Sequence, residues 1–166
     1  MHLRTSAGGR GFTLIETTVA AAISAIFLAS LFTMNMATMD TIRSAKESIL
    51  ASQVLQQRME SLRIANWHQV TDASWLRDNL LNTDVAGSTQ LKSLAETLML
   101  VPYGSANTGN TQLTRSNGTA TIVNQTGLLA ENAVKVIWTV NYIGAPNGRT
   151  ISRQVVAILA DGGVAK

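Results

Sequence analysis

One acid stands alone in a long apolar stretch. Between Phe12 and Met39 the only charged residue is Glu16, and the 23 residues from Thr17 to Met39 carry no charge. A carboxylate buried in hydrocarbon is costly, about 2.5–3.5 kcal/mol at mid-bilayer on insertion scales and less near the interface. A plain membrane anchor has no reason to carry it. A subunit that packs against copies of itself does, because the carboxylate can pair with a cationic amino terminus once both leave water.

The other candidate groups are weaker. His2 lies near the amino terminus and His68 is the only other histidine. No serine and acid are spaced around His68 as a catalytic triad would need, so it reads as a surface residue. Asp72, Asp78 and Asp84 are six residues apart and lack the alternate-residue spacing of a calcium loop. Asp161 alone cannot hold calcium. Gly8-Gly9-Arg10-Gly11 precedes an apolar helix with no strand before it, unlike a phosphate-cradling loop. The chain has no cysteine, which excludes thiol catalysis, cysteine-ligated zinc and disulfides. No catalytic residue, metal site or cofactor is expected.

Composition narrows the class further. Charged residues are 14% of the 166, against about 25% in ordinary soluble domains. The net charge of +3 looks basic, but Arg4 and Arg10 fall in the first eleven residues, which hold no acid. No stretch clusters cations as phosphate binding requires, so nucleic acid is not an expected partner.

The elements that must position Glu16 follow from periodicity. Residues 1–11 form a short, basic, glycine-rich leader. Residues 12–39 are long and apolar enough to span a bilayer, which takes about 20 residues. The basic leader favours an N-terminus in the cytoplasm. A cleaved secretory signal fits poorly, since its apolar core is about 7–15 residues with a small-residue cleavage site after it. Here Ala20-Ala21-Ala22 falls inside the run. The helix continues through residues 40–65, because no Pro or Gly occurs between Phe12 and Val85. Ile42, Ala45, Ile49, Ser52, Leu55, Met59 and Leu62 recur at helical spacing as an inner face. Arg43, Lys46, Glu47, Gln57, Arg58, Glu60 and Arg63 make the outer one.

Residues 66–166 read as a globular domain. Asp72 is positioned to cap a turn through Trp75, Leu76, Asn79 and Leu80. Trp67 and Trp75 read as small-core packing, since nothing basic interleaves them. A strand is expected over Thr97–Tyr103, and residues 104–118 read as an exposed loop or loose hairpin. Thr119–Asn124 is strand-prone. Val134, Val136, Trp138, Val140 and Tyr142 alternate with more polar neighbours as the clearest strand. The turn Gly144-Ala145-Pro146-Asn147-Gly148 leads into a return strand over Thr150–Leu159. The expected fold is therefore α+β: a long N-terminal helix packed on an antiparallel sheet of about four strands.

The string Gly11-Phe12-Thr13-Leu14-Ile15-Glu16, with the basic leader before it and the apolar run after it, resembles the signal of type IV pilins and type II secretion pseudopilins. That resemblance implies cleavage between Gly11 and Phe12, N-methylation of Phe12, and a role for Glu16 in processing and subunit register. The implied partners are a prepilin peptidase/methyltransferase, other pilin or pseudopilin subunits, the inner-membrane assembly platform, and membrane lipid before assembly. The implied location is the bacterial inner membrane as a single pass, with the C-terminal domain periplasmic, and afterwards a pilus or pseudopilus. Many major pilins carry a C-terminal disulfide and a proline in the apolar helix. This chain has neither, which favours a minor pilin or a pseudopilin. Because Glu16 is present, it does not resemble the tip pseudopilin. The alternative is a signal-anchored periplasmic binding or interaction module that stays in the inner membrane.

Overall fold

The computed structural model describes residues 13–162. Gly11 and Phe12 lie outside the described residues. Helix α1 runs over Leu14–Ile64. Its continuity follows from the absence of Pro and Gly, each of which costs about 1–3 kcal/mol in a helix interior. Contacts divide the chain after Thr41.

The unit up to Thr41 contains the first part of α1, which is long and apolar enough to cross a membrane. Its large apolar side chains are exposed, among them Ile23, Phe27, Phe32 and Met36. The unit from Ile42 onward holds the rest of α1 and all the strands. After α1 come two short helices, α2 (Trp67–Thr71) and α3 (Ala73–Trp75). Asn66 and Gln69 form a capping box at the start of α2. Asp72 caps α3 through the Ser74 amide at 2.9 Å, as the sequence led one to expect. A π-helical turn, Leu76–Leu81, and a 3-10 turn, Ser88–Gln90, lead to the sheet.

The sheet has five antiparallel strands: β1 (Ala95–Pro102), β2 (Thr111–Ser116), β3 (Thr119–Asn124), β4 (Ala133–Gly144) and β5 (Arg149–Ala160). Their order is β3-β2-β1-β4-β5. The central strands alternate strictly between buried and half-buried positions. Leu98 and Leu100 of β1, Leu113 of β2, and Val134, Val136, Trp138, Val140 and Tyr142 of β4 face one core. Ala51, Val54, Leu55, Met59 and Leu62 of α1 close it, with Leu76, Leu80 and Leu81. Each large apolar side chain so buried contributes about 1.5–3 kcal/mol.

Two expectations need correction. The sheet has five strands, not about four, because part of the expected 104–118 loop is β2. Leu113 is its only apolar residue. Its other inward positions are Thr111, whose hydroxyl donates to the Thr126 carbonyl, and Arg115, which pairs with Glu96, so no apolar alternation marks the strand. The inner face of α1 is also rotated from the expected stripe. Ile42, Ile49 and Ser52 are exposed, while Ala51, Val54 and Arg58 are buried.

Candidate functional site

Glu16 has a local partner. Thr13 is the residue before α1, and its backbone N–H donates to Glu16 Oε2 at 3.0 Å. Its hydroxyl donates to the same oxygen at 3.1 Å, and the Glu16 amide donates to Thr13 Oγ1 at 3.3 Å. Thr13-Leu14-Ile15-Glu16 is thus a capping box, in which threonine and glutamate each satisfy an amide that the first helical turn leaves open. The acid also sits at the positive end of the helix dipole. An anchor helix therefore does have one use for this acid, which weakens the sequence argument that only a packing subunit would keep it.

Most of the hydroxyls in the apolar segment after Glu16 are paired within the helix. The hydroxyls of Thr17, Thr18, Ser30, Thr33, Thr38 and Thr41 donate to backbone carbonyls three or four residues earlier, at 2.8–3.1 Å. Hydroxyls paired in this way do not demand water, and such a surface suits lipid or another apolar helix. Ile23, Phe27, Leu31 and Met36 of this segment are 62%, 63%, 43% and 71% exposed.

A second constellation lies in the core. Arg58 of α1 and Glu96 of β1 are each 1% exposed. Arg58 donates from Nε to Glu96 Oε2 at 2.9 Å and from Nη2 to Glu96 Oε1 at 2.8 Å. Its remaining N–H groups reach the carbonyls of Leu80 and Thr83 and the Thr83 hydroxyl. Arg115 of β2 donates from Nη1 to Glu96 Oε1 at 3.0 Å and from Nη2 to Asp84. Trp138 Nε1 donates to Glu96 Oε2 at 3.2 Å, and its ring lies 5.8 Å from the Arg58 guanidinium carbon. One carboxylate thus gathers the end of α1, three strands and the segment before the sheet. Sequence reading placed Arg58 on the outer face and passed over Glu96 and Arg115. The signal was present in spacing. Arg58 shares a face with Val54, Leu55 and Leu62, Glu96 has the parity of Leu98 and Leu100, and Arg115 has that of Leu113.

The remaining candidates are kept apart. His68 is exposed. Asp72 caps α3, and Asp84 pairs with Arg115. Asp78 accepts from Arg77 at 2.7 and 2.8 Å, and these hydrogen bonds hold its carboxyl below the usual aspartate value. Among the described residues no three acids or histidines are grouped to hold a metal ion.

Comparison with known proteins bears on the N-terminal segment. Residues 8–32 match the prokaryotic N-terminal methylation motif. The chain therefore carries a prepilin-type signal of the type IV pilin and pseudopilin kind. No curated protein and no solved structure matches the chain.

Proposed function

We propose that this chain is a structural subunit, a minor pilin or pseudopilin, that assembles into a type IV pilus or type II secretion pseudopilus. Residues 1–11 are the leader. A prepilin peptidase cuts between Gly11 and Phe12 and methylates Phe12. Before assembly the chain is a single-pass protein of the inner membrane, with the leader in the cytoplasm and the domain outside. At the assembly platform it joins other subunits.

The observation that carries this reading is the methylation motif at residues 8–32, continuous with a helix whose apolar side chains are exposed. Exposed apolar surface on this scale needs lipid or protein around it. In a filament, Ile23, Phe27, Leu31 and Met36 would bury against neighbouring helices. Glu16 Oε2 serves the capping box, and the carboxylate has a second oxygen to offer the amino terminus of an adjacent subunit. A charge pair buried in this way stabilises only when both members are in place, which favours one axial register.

Mass spectrometry of the full chain, co-expressed with a prepilin peptidase, tests the proposal. A chain beginning at N-methylated Phe12 is expected. An intact Met1 start would leave a permanently anchored module and would remove the filament role given to Glu16.

A further inference from the structure

The turn between β4 and β5 packs against α1. The Ala145 amide donates to Glu47 Oε2 at 2.9 Å, and Arg153 Nη2 donates to Ser48 Oγ at 2.8 Å. Arg149 and Ser44 line one surface recess with Pro146 and Asn147. The segment before β1 reaches the same place, where the Lys92 carbonyl accepts from the Ile143 amide at 2.9 Å. Lys46, Lys92, Arg149 and Arg153 therefore gather at one end of the domain. All four are exposed, and none forms an ion pair among the described residues.

Charge is spread unevenly over the chain. From Asp40 to Gly162 there are ten basic side chains and nine acids. Five of the basic ones, these four and Arg43, lie at this end with two acids, Asp40 and Glu47. One oxygen of Glu47 is already taken by the Ala145 amide. The other five basic side chains are outnumbered by seven acids. The positive excess is thus local. No sequence window shows it, because the four cations come from separate segments that only the fold brings together.

Position selects the partner. Met39 closes the uncharged run, and Lys46 follows seven residues later in the same helix, about 10 Å at 1.5 Å per residue. The headgroup layer is about 5–8 Å deep on each side of the hydrocarbon. A charge is felt over about 10 Å at 0.1 M salt. Once residues 17–39 span the bilayer, the basic end of the domain is tethered within reach of lipid phosphates. We propose that this end docks on anionic phospholipid headgroups, such as phosphatidylglycerol, in the outer leaflet of the membrane that α1 crosses. The docking rests on the membrane-inserted state, which a subunit awaiting assembly and a permanent anchor share.

The test follows amide NMR shifts of the full chain in phosphocholine micelles as lyso-phosphatidylglycerol is added. Saturating shifts are expected at residues 44–48, 92–93 and 144–153, and none around Lys135 near the far end of β4. The shifts should vanish near 1 M salt, where screening acts within about 3 Å. Lys46→Gln and Arg149→Gln should each raise the anionic fraction needed for half the shift by about fivefold, the effect of one basic residue at a charged surface. Lys135→Gln should leave it unchanged. Acyl-chain contacts to residues 17–39 report the membrane-inserted state separately. If those contacts persist and the shifts are absent, the docking is wrong and the membrane reading stands; if the contacts are absent too, both fall. Equal effects of Lys135→Gln and Arg149→Gln would overturn the proposal, because the attraction would then be diffuse. So would the same shifts from free glycerol phosphate, because the site would then take a soluble anion.

Discussion

Glu96→Gln is the most informative single change. The carboxylate accepts four hydrogen bonds, at 2.9 and 2.8 Å from Arg58, 3.0 Å from Arg115 and 3.2 Å from Trp138. Glutamine keeps the shape but removes the charge, and its amide nitrogen then faces donors. Two nearly buried guanidinium groups would be left with Asp84 as their one carboxylate partner in the cluster. Removing one partner from a buried ion pair costs about 3–5 kcal/mol. That is a large share of the 5–15 kcal/mol that holds a typical domain together. With a urea slope near 2 kcal/mol/M, the midpoint should fall by about 2 M. Tryptophan emission of the full chain in micelles reads this, because Trp67, Trp75 and Trp138 all lie beyond Ile42. Replacing all three charges with apolar residues of similar volume should cost far less than Glu96→Gln. As a control, the exposed Glu60–Arg63 pair at 3.6 Å should change stability by less than about 0.5 kcal/mol when Glu60 is removed. A loss below about 1 kcal/mol for Glu96→Gln would mean that water reaches the cluster and that the pairing is not what ties α1 to the sheet.

Three further outcomes are expected. Thr13→Ala disturbs the capping box and should loosen the first turn of α1 by about 1 kcal/mol, whereas Glu16→Gln keeps the box, loses only the charge at the helix start and should loosen the turn less, both read by amide exchange. Only Glu16→Gln should also block assembly, measured as sheared filaments; equal defects would show that the acid acts through the helix start alone. Leu98→Ala, at a fully buried site in β1, should cost about 2–5 kcal/mol in urea unfolding, and a smaller cost would mean that the core collapses around the gap. Asp78 should titrate by carboxyl NMR below its ordinary value of 3.8, because Arg77 donates two hydrogen bonds to the ionised form. Any stabilisation from that shift is present above the ordinary value and fades as pH falls through the lowered one. Arg77→Ala should return Asp78 to the ordinary value.

Local rules carried most of the fold. The long helix was legible because nothing between Phe12 and Val85 breaks it, and β4 because its alternation is uninterrupted for twelve residues. Asp72 was legible as a cap from its position before an apolar turn. What stayed hidden was every place where a polar residue faces inward. Arg58, Glu96 and Arg115 look like surface residues one at a time. They become core residues only as a set, because each is the partner that makes another's burial affordable. Periodicity detects such residues by parity alone, and parity was overruled by residue type. The same bias rotated the expected stripe on α1: counting Arg58 as outward pulled the face toward Ile49 and Ser52.

The two units of the chain solve one problem in opposite ways. In the segment up to Thr41 most side-chain hydroxyls bond to the backbone of their own helix, and Glu16 bonds to Thr13. Nothing in that arrangement depends on a particular environment, so the segment is compatible both with lipid and with an apolar packing of helices. In the unit from Ile42 onward the buried charged groups bond across elements, from α1 to β1 and to the segment before the sheet, and from β2 to β1. Those bonds exist only in one tertiary arrangement and give the domain a single form. A filament subunit requires both properties in one chain: an N-terminal segment that can exchange its surroundings without losing hydrogen bonds, and a domain whose surface does not change when it does. A module anchored in lipid also needs polar groups paired within its own helix. The self-paired hydroxyls of this segment therefore fit a filament subunit and a permanent anchor alike, and processing of the N-terminus is what separates the two readings.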